Sequence, residues 1–238
     1  MGKRTAVILS GGLGTRLRPF TSAIPKPLLP VGEKAVLEVQ VERLASSGFE
    51  RVVLATNYKA DYIERFLGDG SRYGVELVVS REDEPLGTAG PIRLAERYLS
   101  EPFLVMNGDI LTLLDFARLY DFACSRESLF TACVKRMVMP YAFGNIHFDG
   151  DRVTAIEEKP DIVTYALAGI YVMRPEILPR IPEGRYYGID SLMQGMLRDG
   201  LEVTKYEIDE YWLDIGRIDD YERAQEDFAP FVDGEVER

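Results

Sequence analysis

Between residues 11 and 26 the chain reads Gly-Gly-Leu-Gly-Thr-Arg-Leu-Arg-Pro-Phe-Thr-Ser-Ala-Ile-Pro-Lys, directly after the apolar run Ala6-Val7-Ile8-Leu9 and Ser10. Gly11, Gly12 and Gly14 carry no Cβ, so backbone N–H groups can approach an anion closely. Arg16 can fork onto phosphate oxygens, and Lys26 adds a compact positive charge. A buried strand running into such a turn predicts a polyphosphate cradle at the end of a parallel strand. The glycines alone fit a tight strand-to-helix connection equally well. Two familiar phosphate loops are excluded. No Gly-Lys-Ser/Thr ending follows, and Leu17 stands where a GxGxxG fingerprint needs its last glycine.

Four further patches carry groups suited to the same chemistry. Glu84-Pro85-Leu86-Gly87-Thr88-Ala89-Gly90 could present free N–H groups at a helix N-terminus to a base, ribose or phosphate, or could simply cap that helix. Asn107-Gly108-Asp109 puts a carboxylate after a strand, placed to hold Mg²⁺ beside phosphates or to form an Asx-turn. In Glu157-Glu158-Lys159-Pro160, Lys159 could hold a second phosphate and Glu158 a sugar hydroxyl, although such a string is usually a solvated strand end. Trp212-Leu213-Asp214-Ile215-Gly216 sets a carboxylate in an apolar run, which calls for a partner, a metal, or a capping role for the helix near Arg217.

The elements that must position these groups alternate through the first half. Strands are expected at 6–9, 52–55, 75–79 and 103–106, and helices at 34–47, 59–67, 88–99 and 113–124. Leu37, Val41 and Leu44 give the first helix its spacing, and Thr88 with Pro91 starts the third. This order implies an α/β fold: a Rossmann-like, mostly parallel mixed sheet flanked by helices, with ligands beyond the strands' carboxyl ends. The second half reads as strands at 129–135, 144–148, 152–157 and 165–173, with Asp149-Gly150 as a hairpin turn, then helices at 189–198 and 217–228. One domain over 1–228 and a flexible acidic tail over 229–238 are expected.

The 238 residues carry a net charge of −11, and the pI is about 4.8. A nucleic-acid or anionic-membrane surface is therefore not expected, and a polyanionic substrate needs a locally basic site. Only Cys124 and Cys133 occur, with a single histidine, His147, so neither a disulfide framework nor a zinc site is suggested. No apolar run reaches ~18 residues and no signal peptide is seen, so a cytoplasmic location is expected.

Taken in order, GGLGTRLRP, PKPLLPV, EPLGTAG, NGD, EEKP, AGIYV and YWLDIG resemble the sugar-1-phosphate nucleotidylyltransferases over roughly residues 4–228. Among these the motifs look most like guanylyltransferases of the mannose-1-phosphate or heptose-1-phosphate type. The resemblance implies that Leu9, Gly11, Gly12, Gly14, Thr15, Arg16, Glu82, Pro85, Gly87, Thr88 and Gly108 bind the nucleotide. It implies that Asp109 and Asp214 hold Mg²⁺, with Arg16, Lys26 and Lys159 completing the catalytic set. Gly144, Glu158, Lys159, Gly169, Tyr165 and Asp190 would surround the sugar phosphate. The left-handed β-helix repeats of longer members do not follow YWLDIG, and members often form dimers or tetramers.

The implied reaction joins an NTP to a sugar-1-phosphate and releases pyrophosphate by in-line displacement. The attacking phosphate has a second pKa of about 6, so it needs no general base. Glu82 lies five residues before Gly87, where thymidylyl-type relatives carry a base-reading glutamine. A carboxylate suits the adjacent N1–H and N2–H₂ donors of guanine and repels the carbonyls of thymine or uracil, which favours GTP. A thymidylyl- or uridylyltransferase acting on glucose-1-phosphate or another sugar-1-phosphate is the nearest alternative. A GT-A-like glycosyltransferase, or a catalytically silent sugar-nucleotide sensor, stands further off.

Overall fold

A computed structural model describes residues 2–12, 14–57 and 59–232. Its strands are β1 (Thr5–Leu9), β2 (Pro30–Val31), β3 (Lys34–Ala35), β4 (Arg51–Thr56), β5 (Glu76–Arg81), β6 (Phe103–Asn107) and β7 (Ile110–Thr112). They continue as β8 (Phe130–Pro140), β9 (Asn145–Asp149), β10 (Arg152–Glu157), β11 (Asp161–Met173), β12 (Thr204–Glu207) and β13 (Trp212–Asp214). The helices are α1 (Phe20–Ala23), α2 (Val36–Ser46), α3 (Ala60–Leu67), α4 (Gly90–Leu94), α5 (Phe116–Cys124), α6 (Ile189–Arg198), α7 (Ile218–Arg223) and α8 (Ala229–Val232).

Seven strands form the main sheet in the order β12-β8-β11-β6-β1-β4-β5. Pairs β6-β1, β1-β4 and β4-β5 are parallel, as is β12-β8, whereas β11 runs antiparallel to both of its neighbours. The expected mostly parallel mixed sheet is what the chain forms. Side chains alternate across it. Ala6 and Ile8 of β1 point with Leu104 and Met106 toward Leu37, Val41 and Leu44 of α2. Val7, Val53 and Val105 point the other way, toward Ile92 of α4 and Leu192 and Met196 of α6. Strands buried on both faces need apolar residues at every position, and that is why the first four were readable as continuous runs. Among the described residues no helix is long and apolar enough to cross a membrane.

Several expectations need correction. The helix expected at 88–99 is only Gly90–Leu94, followed by a 3₁₀ turn at Glu96–Tyr98. Thr88 does not cap it; its hydroxyl instead accepts the Ile189 N–H at 2.9 Å, tying this segment to α6. Strands β7, β12 and β13 were not foreseen, being three or four residues long and partly polar. The last helical stretch runs past 228 through a π-turn at Ala224–Phe228 into α8, and 233–238 of the expected tail lie outside the described residues.

Strands β7 and β13 form a separate two-stranded ribbon beside the main sheet. A third apolar cluster, including Leu17, Leu29, Leu111, Leu213, Ile215 and Phe228, lies beneath it. Trp212 Nε1 donates to Ala168 O at 2.8 Å and fastens the ribbon to β11. Leu213→Ala removes most of one buried side chain from this cluster and is expected to cost about 2–5 kcal/mol of unfolding free energy, measured by urea denaturation.

Candidate active site

The carboxyl ends of β1, β4 and β6 are laced together at one rim. Ser10 donates from its N–H (2.8 Å) and its hydroxyl (3.1 Å) to Ala55 O, and the Gly108 N–H donates to Leu9 O at 2.8 Å. Beyond that rim opens a cleft of about 510 Å³, lined among others by Gly11, Gly12, Gly14, Thr15, Arg16, Lys26, Glu82, Gly87 and Asp109. Leu9, Pro85, Thr88 and Gly108 also line it, so every residue expected to touch the nucleotide faces one space.

Gly14 shapes the loop. Its φ is +60°, and a Cβ there would come within 2.8 Å of Thr21 Cγ2. Its carbonyl accepts both the Leu17 N–H (2.9 Å) and the Thr21 hydroxyl (2.7 Å), which folds the loop back so that Arg16 stays exposed while Leu17 is buried. Gly87 is constrained at the opposite wall: at φ +80° a Cβ would lie 2.6 Å from Tyr187 O. That carbonyl accepts the Ala89 N–H at 2.9 Å while the Tyr187 N–H donates to Leu86 O, so two loops clamp each other by backbone alone. Tyr186, which sequence reasoning missed, stands on this loop 75% exposed and lines the cleft.

Asp109 and Asp214 come together through the β7-β13 ribbon. Asp214 is in register with Ile110, and the Ile215 N–H donates to Asp109 O at 3.0 Å. Lys26, held in a 3₁₀ turn between Pro25 and Pro27, forms an ion pair with Asp109 Oδ2. Asp214 opens to solvent at the mouth of the cleft, yet the protein packed around it pushes its carboxyl pKa upward, and the Asp109 charge adds to the push; Lys26 and Arg16 oppose it. The carboxylate therefore answers the helix-cap alternative: the Arg217 N–H is instead taken by Asp220 at 2.9 Å.

These groups fit a divalent cation. Asp109 Oδ1 is buried with no hydrogen-bond partner, an orphan acceptor beside a second carboxylate whose ionised form the site disfavours. No cluster of three or more metal-ligating side chains occurs among the described residues. Two carboxylates with phosphate oxygens and water are what Mg²⁺ accepts.

Gln40 is the other residue missed. It lies in α2 only 3% exposed, and its Nε2 donates to Asn107 O (3.0 Å) and Ile110 O (2.8 Å), the carbonyls on either side of Gly108-Asp109. The signal was present: Gln40 is a polar residue on the stripe marked by Leu37, Val41 and Leu44.

Glu82 closes the wall opposite Gly11. Its Oε2 accepts the Leu86 N–H at 2.9 Å, and its Oε1 lies 3.1 Å from where a Gly11 Cβ would stand. Burial raises its carboxyl pKa, and the Leu86 N–H only partly offsets this.

The residues expected around the sugar phosphate are spread more widely. Gly169 packs against Asn107, where a Cβ would meet Nδ2 at 2.6 Å, so it borders the cleft. Gly144 and Glu158 face each other and Lys159 and Tyr165 stand near them in sequence, all exposed on the strands leaving the sheet, and Asp190 folds over Gly188 at the start of α6. None of these five lines the cleft.

A family profile described as nucleotidyl transferase matches residues 5–230. The chain belongs to the nucleotidyl transferase family. Among curated relatives, the mannose-1-phosphate guanylyltransferase of Mycobacterium tuberculosis is 38% identical over 94% of this chain and 64% of its own length. The Drosophila melanogaster mannose-1-phosphate guanylyltransferase catalytic subunit beta is 37% identical over 91% and 60%. The chain thus spans about three fifths of the length of these relatives. Among solved structures, HddC from Yersinia pseudotuberculosis complexed with GMP-PN superposes with a TM-score of 0.74 at 28% identity, over 94% of this chain and 99% of that one. A Bacillus anthracis protein, named provisionally as a glucose-1-phosphate thymidylyltransferase, superposes at 0.78 with 25% identity over 94% of both chains.

Gln40→Leu keeps the volume and deletes both donations to the turn that carries Asp109. Activity is expected to fall about 10- to 100-fold, with half-saturation by Mg²⁺ moving to higher concentration and the KM for nucleotide little changed. An unchanged magnesium titration would leave Gln40 a packing residue only.

Proposed function

We propose that this member of the nucleotidyl transferase family moves a guanylyl group from GTP to mannose-1-phosphate, forming the nucleotide sugar and pyrophosphate. The observation that carries the reaction is the meeting of Lys26, Asp109 and Asp214 at the mouth of a glycine-walled cleft. The choice of sugar rests on the names of the two curated relatives.

In the step proposed, an oxygen of the sugar phosphate forms a bond to the α-phosphorus. The bond from that phosphorus to the bridging oxygen breaks, and pyrophosphate leaves with the electron pair. The nucleophile is already ionised near neutral pH, since its second pKa is about 6, so no side chain need take a proton. The obstacle is electrostatic: two anions must approach. Arg16 at the loop and Lys26 below it supply positive charge on the triphosphate side, and the glycine N–H groups add dipoles aimed at phosphate oxygens. Asp109 and Asp214 would hold a divalent cation, which when bound screens the charge that builds on the phosphates. The ribbon and Gln40 fix the two carboxylates before substrate arrives, so little reorganisation is left for the chemical step.

Glu82 is the proposed reader of the base. It offers acceptors only, which matches the adjacent donors on one edge of guanine and mismatches a pyrimidine carbonyl.

The reading is tested by pyrophosphate release over GTP, dTTP, UTP, CTP and ATP against mannose-, glucose- and glucosamine-1-phosphate. Release is expected with GTP and mannose-1-phosphate, and a strong preference for a pyrimidine nucleotide would reject the base assignment. Asp109→Asn or Asp214→Asn should lower kcat by roughly three orders of magnitude or more with an unchanged circular dichroism spectrum. Wild-type turnover by both at limiting magnesium would refute the metal role.

Glu82→Gln separates reading from stability. A carboxyl whose folded pKa is raised destabilises the fold once pH exceeds its unfolded value, because the native state binds the extra proton. The variant should therefore melt higher than wild type at pH 7, with the gap closing as pH falls through about 4.5, the ordinary glutamate value. The same variant should lose preference for GTP.

A further inference from the structure

The hairpin β9-β10 has one apolar face that nothing among the described residues covers. In its register Ile146 opposes Ile156 and Phe148 opposes Val153, so these four side chains share a face. Their exposures are 51, 68, 72 and 54%. The other face carries Asn145, His147 and Asp149 opposite Glu157, Ala155 and Arg152, with His147 paired to Glu157 at 3.3 Å. A strand pair with this alternation is patterned for burial on one side, and here that side meets solvent.

The patch is not isolated. Of the 21 large apolar side chains that are exposed among the described residues, 13 fall between Met137 and Leu167. Outside the hairpin they sit on the distal halves of β8 and β11, where Met139 opposes Ile162 and Val138 opposes Val163. Below that point β11 enters the sheet and is buried, so the exposure is confined to this arm. A monomer rarely leaves so much contiguous apolar surface open.

We propose that the hairpin face is the contact through which two copies of this chain associate about a two-fold axis, with the neighbouring arm completing the interface. Charge favours a second copy as the occupant. The chain carries −11 overall, yet residues 135–167 hold four basic and five acidic side chains and are almost neutral. Two copies meeting there avoid the repulsion that the rest of the surface imposes. Arg152 and Glu157 stand at opposite ends of β10, so an antiparallel two-fold apposition borders the patch with opposite charges at both ends. Four side chains alone are too few for a stable interface of about 1,200–2,000 Å², which is why the arm must take part. The contact is separate from the nucleotide cleft, and its failure would leave the reading of the cleft untouched.

The test is light scattering coupled to size exclusion, with sedimentation velocity from 1 to 50 μM. The wild-type chain is expected to run as a dimer, and Phe148→Asp with Ile156→Asp as a monomer of unchanged circular dichroism. Thr154→Asp, in the same strand, tests whether a bare added charge suffices, and it should leave the dimer in place. Hydrogen exchange of amides 145–157 should slow in the wild type as concentration rises, a readout that needs no variant. A wild-type monomer across that range, or a dimer that survives both aspartates, would overturn the proposal.

Discussion

Asp109 and Asp214 repel each other, and the fold holds them together regardless. Their backbones are neighbours in a ribbon only three residues long on each strand, so neither carboxylate can move away without breaking the pairing. Lys26 neutralises one of them, and the protein mass around Asp214 disfavours the second charge. One cation against two carboxylates leaves the site short of positive charge. Placing like charges side by side and partly out of water costs stability. The third apolar cluster beneath the ribbon offsets that cost, which gives its packing a role beyond the core.

The rest of the site follows from keeping that arrangement still. Gln40 reaches up from α2 to the two carbonyls that flank the Gly108-Asp109 turn, and the Gly108 N–H closes the turn onto β1. The Pro25-Lys26-Pro27 sequence limits the backbone freedom of the lysine that must face Asp109. Across the cleft, Gly87 and Tyr187 lock their loops through main-chain bonds, so the wall does not depend on side-chain rotamers. Preorganisation here comes from backbone contacts, with the charged groups mounted on them.

The extent to which this was legible in the residues divides along physical lines. Strands β1, β4 and β6 and the glycine loop were plain because a doubly covered parallel strand has a continuous apolar signature, and a loop with three glycines beside two cationic residues has few uses. Strand β13 was hidden because Asp214 interrupts an already short run, and β12, Thr-Lys-Tyr-Glu, has no apolar face to display. Helix α4 was overextended because residues 95–98 keep helical character while forming a 3₁₀ turn, a difference in hydrogen bonding that composition does not encode. Thr88 was misassigned because a hydroxyl ahead of a helix is a good local cap, and a tertiary donor, the Ile189 N–H, won the competition.

Strand β11 shows how the two halves of the site are joined. Its residues 168–173 are buried within the sheet, between β6 and β8, while 161–167 run out along β8 alone and are mostly exposed. The register against β8 shifts between Leu167 and Tyr171, and Gly169, at φ +67°, sits inside that shift with its Cα against Asn107. Only a residue without a Cβ can occupy that position, because Asn107 is fixed from below by Gln40 and leads directly into Gly108-Asp109. The groups that the family resemblance places around the sugar phosphate lie on the outer segment, and the nucleotide cleft lies at the inner one. Gly169 is thus the point at which a rigid sheet hands over to an exposed arm, and the distance from there to the carboxylate pair is a single turn of chain.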